Sequence, residues 1–154
     1  MLKEIKIKGY KSIKDITLDL KPINILIGAN GVGKSNFITF FSLVNNIYEQ
    51  NLQNYTMACG ADSLLYYGLK HTNFIEGSLD FGNNTYSFKL APARDGSLYI
   101  SEERNIFINS RWIYPKKSIR ESKIKDSSRP RDSFLRNFLA SYRIYHFHDT
   151  EMNS

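Results

Sequence analysis

A single cysteine, Cys59, stands among the 154 residues, so no disulfide can close within the chain and no cysteine cluster is available for zinc. A lone thiol fits a reducing compartment, and a cytoplasmic protein is expected. Long apolar runs are missing too. The longest, around residues 37–44, is broken by Thr39 and Ser42, and the N-terminus alternates lysines where a signal peptide would carry an apolar core. Neither a membrane span nor export is implied. No internal repeat or low-complexity tract interrupts the chain, whose length suits one domain able to bury a core without disulfides.

Acidic residues run short in one region only. Up to Ser110, 11 Lys/Arg face 10 Asp/Glu; from Arg111 onward, 10 face 5. Within this basic third, Lys116, Lys117, Arg120, Lys123, Lys125, Arg129 and Arg131 lie among Ser, Asp and Pro with little apolar periodicity, which reads as a flexible or partly ordered surface loop over about 115–131. Lys116, Lys117, Arg120, Lys123 and Lys125 could neutralise the phosphates of DNA or RNA. The alternative is a solvated loop whose charge balances an acidic half outside the chain.

What the chain does contain is a complete phosphate-binding loop, Gly28-Ala29-Asn30-Gly31-Val32-Gly33-Lys34-Ser35, in the pattern G-x-x-x-x-G-K-[ST]. Before it, Ile23-Asn24-Ile25-Leu26-Ile27 is nearly all apolar and β-branched, which predicts a strand buried on both faces. After it, Phe37, Phe40, Phe41, Val44, Ile47 and Tyr48 recur at helical spacing. Glycines without Cβ let such a loop turn its N–H groups inward around phosphate oxygens, and the helix start adds its positive dipole end. Lys34 would reach the β- and γ-phosphates, and the Ser35 hydroxyl would ligate Mg²⁺. The competing reading is an ordinary glycine turn with an exposed lysine.

Residues 2–10 and 16–20 alternate like strands with one buried face, so two amphipathic strands precede the loop. Small-molecule kinases and GTPases usually place the loop after the first strand. Residues 74–81, 85–90 and 97–100 read as further strands, separated by Gly82-Asn83-Asn84 and Arg94-Asp95-Gly96, which predicts an antiparallel meander over about 74–101. A short helix over 132–140, with Phe134, Leu135, Phe138 and Leu139 as its apolar face, and a strand over 143–148 complete the expected elements.

At Gly9-Tyr10-Lys11-Ser12-Ile13 and Ile27-Gly28-Ala29-Asn30-Gly31-Val32-Gly33-Lys34-Ser35-Asn36 the chain resembles the RecF/SMC-like branch of the ABC-class ATPases. That branch opens with aromatic-Lys/Arg-Ser and favours Ser-Asn at the end of its loop. Residues 142–150 look like a segment found in many bacterial members. The resemblance implies an α/β P-loop NTPase fold: the N-terminal lobe of an ABC-class head over residues 1–154, with a mixed sheet and an added antiparallel β layer. It implies ATP and Mg²⁺ as ligands bound through Gly28, Ala29, Asn30, Gly31, Val32, Gly33, Lys34, Ser35 and Asn36, with Lys11 as a further phosphate contact. As partners it implies a C-terminal half or a second head closing on ATP, and DNA or an effector protein. The processes it suggests are DNA repair, chromosome maintenance or anti-phage defence.

A hydrolytic head of that kind also uses a Walker B strand ending in Asp-Glu, a Leu-Ser-Gly-Gly-type signature and a switch histidine. None is found here, so the catalytic half is expected to be absent and the isolated chain to bind ATP without turnover. The nearest imitation, Leu98-Tyr99-Ile100-Ser101-Glu102-Glu103, has Ser where the magnesium-linked Asp should stand, and reads as a strand followed by surface carboxylates. A glutamine joining the family's two lobes has no counterpart at residues 68–73; Gln50 and Gln53 lie earlier. The alternative is a non-catalytic module that uses nucleotide to order itself or dimerise. His146 and His148, with Asp149 next, would share a strand face, but no second ligand cluster accompanies them, so half-buried strand histidines are the expected reading. Trp112 and Tyr114 read as core or interface residues.

Overall fold

The computed structural model describes residues 1–107, 110–113 and 118–141. Tyr114, Lys116, Lys117 and residues 142–154 lie outside the described residues, as do the side chains of Trp112 and Arg131.

The period-two alternation of the N-terminus does make a hairpin. β1 (Glu4–Tyr10) buries Ile5 and Ile7 completely while its lysines face solvent, and it pairs antiparallel with β2 (Ile13–Asp19), Ile7 opposite Ile16. The meander follows as β3 (Ile75–Asp80), β4 (Asn84–Pro92), β5 (Leu98–Phe107) and β6 (Ser110–Ile113). β3 returns to the free edge of β1, giving one six-stranded sheet in the order β2-β1-β3-β4-β5-β6, with every described pairing antiparallel. The hairpin and the meander are thus a single sheet.

One helix covers its inner face. α1 (Lys34–Tyr48) buries Phe40, Phe41, Leu43, Val44, Ile47 and Tyr48, the stripe its sequence spacing predicts. Phe40 stacks on Phe88 of β4 at 6.0 Å and meets Tyr10 edge-on at 5.3 Å. This approach requires Gly77 in β3, because a Cβ there would stand 2.4 Å from the Phe88 ring and 2.8 Å from that of Phe40. Each fully buried Ile, Leu or Phe contributes about 1.5–3 kcal/mol relative to an exposed one, so this layer carries most of the fold's stability. Two short helices, α2 (Leu52–Cys59) and α3 (Ala61–Leu64), continue from α1, and α4 (Ser133–Ser141) follows a 3-10 turn at Pro130–Asp132. In α4, Leu135 and Leu139 are buried, Phe138 packs against the core and Phe134 stays 40% exposed.

Two expectations need correction. Residues 23–27 form no strand: Ile23, Ile25 and Ile27 are 82%, 78% and 90% exposed. After β2, Asn24 exchanges hydrogen bonds with the Lys21 backbone (2.9 and 2.7 Å) and turns the chain, and residues 23–27 pair with no described strand. An apolar run makes no strand until its backbone groups enter a ladder.

Second, Glu102 and Glu103 lie inside β5 and do not follow it. The register with β4 shifts between Lys89 and Leu90, leaving Ser101 as the extra residue of a bulge, so the face alternation changes phase and Glu103 turns inward, 2% exposed.

The basic segment packs against the rest of the chain where it is described. Ile119 bridges to Ile100, Ile124 is buried, and the Glu121 carboxylate accepts from the N–H groups of Leu52 and Gln53 at 2.9 Å, satisfying donors at the start of α2. Gln50 and Gln53, considered above for the lobe-joining role, donate to the carbonyls of Ser122 and Arg120 in the same segment at 3.0 Å each.

Candidate functional site

Gly31 and Gly33 take φ of +87° and +102°, values in the left-handed region that other residues reach only under strain, and Gly33 is the N-cap of α1. No side chain caps this helix start. Its first N–H groups are therefore available to an anion at the positive end of the helix dipole. The loop is exposed throughout residues 28–32, and nothing lies within 4 Å of where a Gly31 Cβ would be.

Lys34 reaches back over the loop from the first position of α1. Its Nζ donates to the carbonyl oxygens of Gly28 (2.5 Å) and Ala29 (2.7 Å). The ammonium is thus held by backbone carbonyls of the loop on a half-buried side chain. Ser35 and Asn36 follow on the first turn. The Asn36 Nδ2 donates to Ser12 Oγ at 2.8 Å, joining the loop-helix junction to the β1–β2 turn. A Cβ on Gly33 would come within 2.9 Å of that same Ser12 oxygen, so the junction is closely fitted.

Lys11 occupies that turn at φ +48°, its N–H donating to the Leu64 carbonyl at 2.9 Å and its Nζ to Thr39 Oγ1 on α1 at 3.4 Å. The structure thus brings Lys11, Ser12 and Asn36 together beside residues 28–35.

The other carboxylates and bases are placed elsewhere. Glu103 accepts from the hydroxyls of Tyr86 (2.8 Å) and Ser122 (2.5 Å). Burial pushes its pKa up, against the pull of those two hydrogen bonds. Glu102 pairs with Arg104 on the outer face. Of the basic-segment candidates, Arg120 pairs with Asp95 at 2.7 Å and Lys125 with Glu49 at 2.5 Å, while Lys123 is exposed. The Ser97 hydroxyl, followed by Arg120, holds the Asp95 carboxyl well below the usual range. Among the described residues no group of three or more His, Cys, Asp and Glu side chains is arranged for a metal, and no helix is long and apolar enough to cross a membrane.

Sequence reasoning did not find α2, α3 or the turn at residues 65–68 that closes the far side of this site. Only Gly60 and Gly68, at φ +78° and +76°, signalled the breaks between them.

Comparison with curated proteins gives no match. One solved structure, from work on the "Structural biochemistry of ATP-driven dimerization and DNA stimulated activation of SMC ATPases", aligns at 18% identity, covering 91% of this chain and 99% of that chain with a TM-score of 0.46. Residues 1–149 match the AAA ATPase domain family. The chain belongs to that family, in keeping with the RecF/SMC-like motifs around Lys11 and Lys34.

Proposed function

We propose that residues 28–36 bind the triphosphate of Mg·ATP, and that the chain serves as the N-terminal nucleotide-binding lobe of an ABC-class ATPase head. The observation that carries this reading is Lys34 folded over the carbonyls of Gly28 and Ala29 at an uncapped helix start. Backbone N–H groups of the loop and of α1 would hold the β- and γ-phosphates, Lys34 would neutralise them, and the Asn36 amide would keep the helix start against Ser12. Ser35 Oγ, one position beyond Lys34, would take a Mg²⁺ site, and the metal would screen the phosphate charge. DNA repair, chromosome maintenance or anti-phage defence is the setting we propose for the ATPase, on the strength of the RecF/SMC-like motifs.

Binding without turnover by the isolated chain is the companion proposal. Glu103 is buried against Tyr86 and Ser122, and Glu102 is paired with Arg104, so neither carboxylate is offered to an attacking water beside the loop. Titrating parent and Lys34→Ala with a fluorescent ATP analogue in Mg²⁺ tests the reading. Binding should vanish in the variant with circular dichroism unchanged, because the Lys34 side chain is bonded only to the loop's own carbonyls and is no part of the core. Equal affinity in the two proteins would remove the proposal. Phosphate release by the parent should match buffer.

A further inference from the structure

Beside the start of α1 lies a groove of about 610 Å³ whose lining includes Lys11, Ser12, Asn36 and Asp62. Lys11 differs there from the lysines of the neighbouring strands. Lys6, Lys8 and Lys89 pair with Glu4, Asp15 and Glu76 at 3.2, 3.9 and 2.9 Å. Lys11 makes no ion pair among the described residues, and the Asp62 carboxylate accepts instead from the Leu69 N–H at 2.8 Å. The Lys11 ammonium meets two neutral groups, the Thr39 hydroxyl at 3.4 Å and the face of the Tyr10 ring at 5.5 Å. Burying a charge is costly unless it is paired, so a half-buried ammonium without a carboxylate is a place for an anion.

Thr39 holds that ammonium in place. In a helix, threonine divides between two rotamers because its Oγ1 can bond a carbonyl three or four residues back. Thr39 does so, donating to the Asn36 carbonyl at 3.2 Å, and its two lone pairs are then left to accept. Tyr10 OH takes one at 3.3 Å and Lys11 Nζ the other. The hydroxyl is thereby fully used. Tyr10 is completely buried, and burial pushes its phenol pKa up, so it stays protonated and donating. Asn36 also holds Ser12 at 2.8 Å, and Ser12 Oγ lies 2.9 Å from where a Gly33 Cβ would stand. Thr39 therefore ties the β1–β2 turn to the first turns of α1 at the point where the glycine loop enters the helix.

We infer that Thr39 is a positioning residue of the phosphate site: without touching the ligand, its hydroxyl holds the Lys11 ammonium beside the start of α1, where it joins Lys34 as a second cation for a bound triphosphate. The inference rests on the phosphate-loop reading and extends it to a residue outside residues 28–36. A carboxylate in place of this hydroxyl would hold the ammonium and cancel its charge. The hydroxyl orients it and leaves the charge for phosphate.

Isothermal titration with Mg·ATP and, separately, with inorganic tripolyphosphate in Mg²⁺ reads the site. Thr39→Val keeps the branched shape and removes the hydroxyl. It should weaken both ligands several-fold, as Lys11→Ala does, and the double variant should bind no worse than Lys11→Ala alone. With one cation fewer at the ligand, Thr39→Val should also lose tripolyphosphate less steeply as salt is raised. Thr39→Ser restores the hydroxyl and should bind like the parent. Tyr10→Phe removes the buried partner, leaves the Lys11 bond and should keep both affinities. Where Thr39→Val does not fold, Thr39→Ala makes the same comparison. Parental affinity in Lys11→Ala or Thr39→Val, additive losses in the double variant, or a loss in Tyr10→Phe equal to that in Thr39→Val would each overturn the inference. A parent that binds neither ligand would refute the phosphate-loop reading itself, and this one with it.

Discussion

Asn36 on the first turn of α1 is hydrogen-bonded to Ser12 in the β1–β2 turn at 2.8 Å, 24 residues away in sequence. The bond ties the glycine loop to the sheet at its helical end, while residues 23–27 leave the other end untied. Because the bond is exposed, breaking it should cost less than about 1 kcal/mol of stability. Its effect should show in binding: Asn36→Ala, Ser12→Ala and the double variant should each lower ATP-analogue affinity several-fold, the double no more than the worse single. Fully additive losses would show that the two side chains act independently.

Glu103 leads to a pH prediction. Its folded pKa is raised, chiefly by burial, so the folded state holds the proton more tightly than the unfolded chain does. The stability contributed by this group is therefore fully present below the ordinary carboxylate range and is lost as pH rises through the folded value. Thermal melts of parent and Glu103→Gln across mildly acidic to neutral pH should converge at the acid end and separate above it, with the parent falling relative to the variant. A parent that gains on the variant as pH rises would reverse the assigned direction.

The sheet was legible because its strands alternate cleanly, as at Ile5 and Ile7, and its turns carry Gly82-Asn83-Asn84 and Arg94-Asp95-Gly96. The glycine loop was legible because its pattern fixes residue type at fixed spacing, and Gly31 and Gly33 take the positive φ that glycine permits. Residues 23–27 misled because apolar β-branched composition reports a preference for a sheet interior and says nothing about whether the backbone meets a pairing strand. Glu103 misled because a one-residue bulge reverses the in-out phase, and no local signal marks Ser101 as the extra residue. The groove beside the loop was hidden because its lining comes from three separate stretches, at Lys11 and Ser12, at Asn36, and from Asp62 to Gly68.

The ion pairs in the basic segment narrow what a nucleic acid could find there. Arg120 and Lys125 already face Asp95 and Glu49, so much of their charge is compensated locally. Any DNA binding through Lys116, Lys117, Arg120, Lys123 and Lys125 should be weak, indifferent to sequence and steeply salt-dependent. Changing Lys116, Lys117 and Lys123 to Ser should reduce low-salt affinity for duplex DNA more than changing Arg120 and Lys125 does, with ATP binding unaltered in both. Retention of parental affinity by the five-fold variant across a salt series would assign the segment no role with DNA.

Residues 23–27 and the core stripe of α1 are equally apolar, yet they should respond oppositely to substitution. Ile47 is fully buried, and Ile47→Ala should cost about 2–5 kcal/mol through lost transfer energy and the cavity left behind. Ile25 is 78% exposed with no sheet neighbour among the described residues, so Ile25→Asp should change the unfolding free energy of this chain by less than about 0.5 kcal/mol, as at an ordinary surface site. Urea melts of the two variants, with the parent alongside, make the comparison. A large loss for Ile25→Asp would mean that residues 23–27 are buried in solution, either against the chain's own sheet or between copies of it. Repeating the melt over a hundredfold range of protein concentration then distinguishes these, because only burial between copies makes the midpoint rise with concentration.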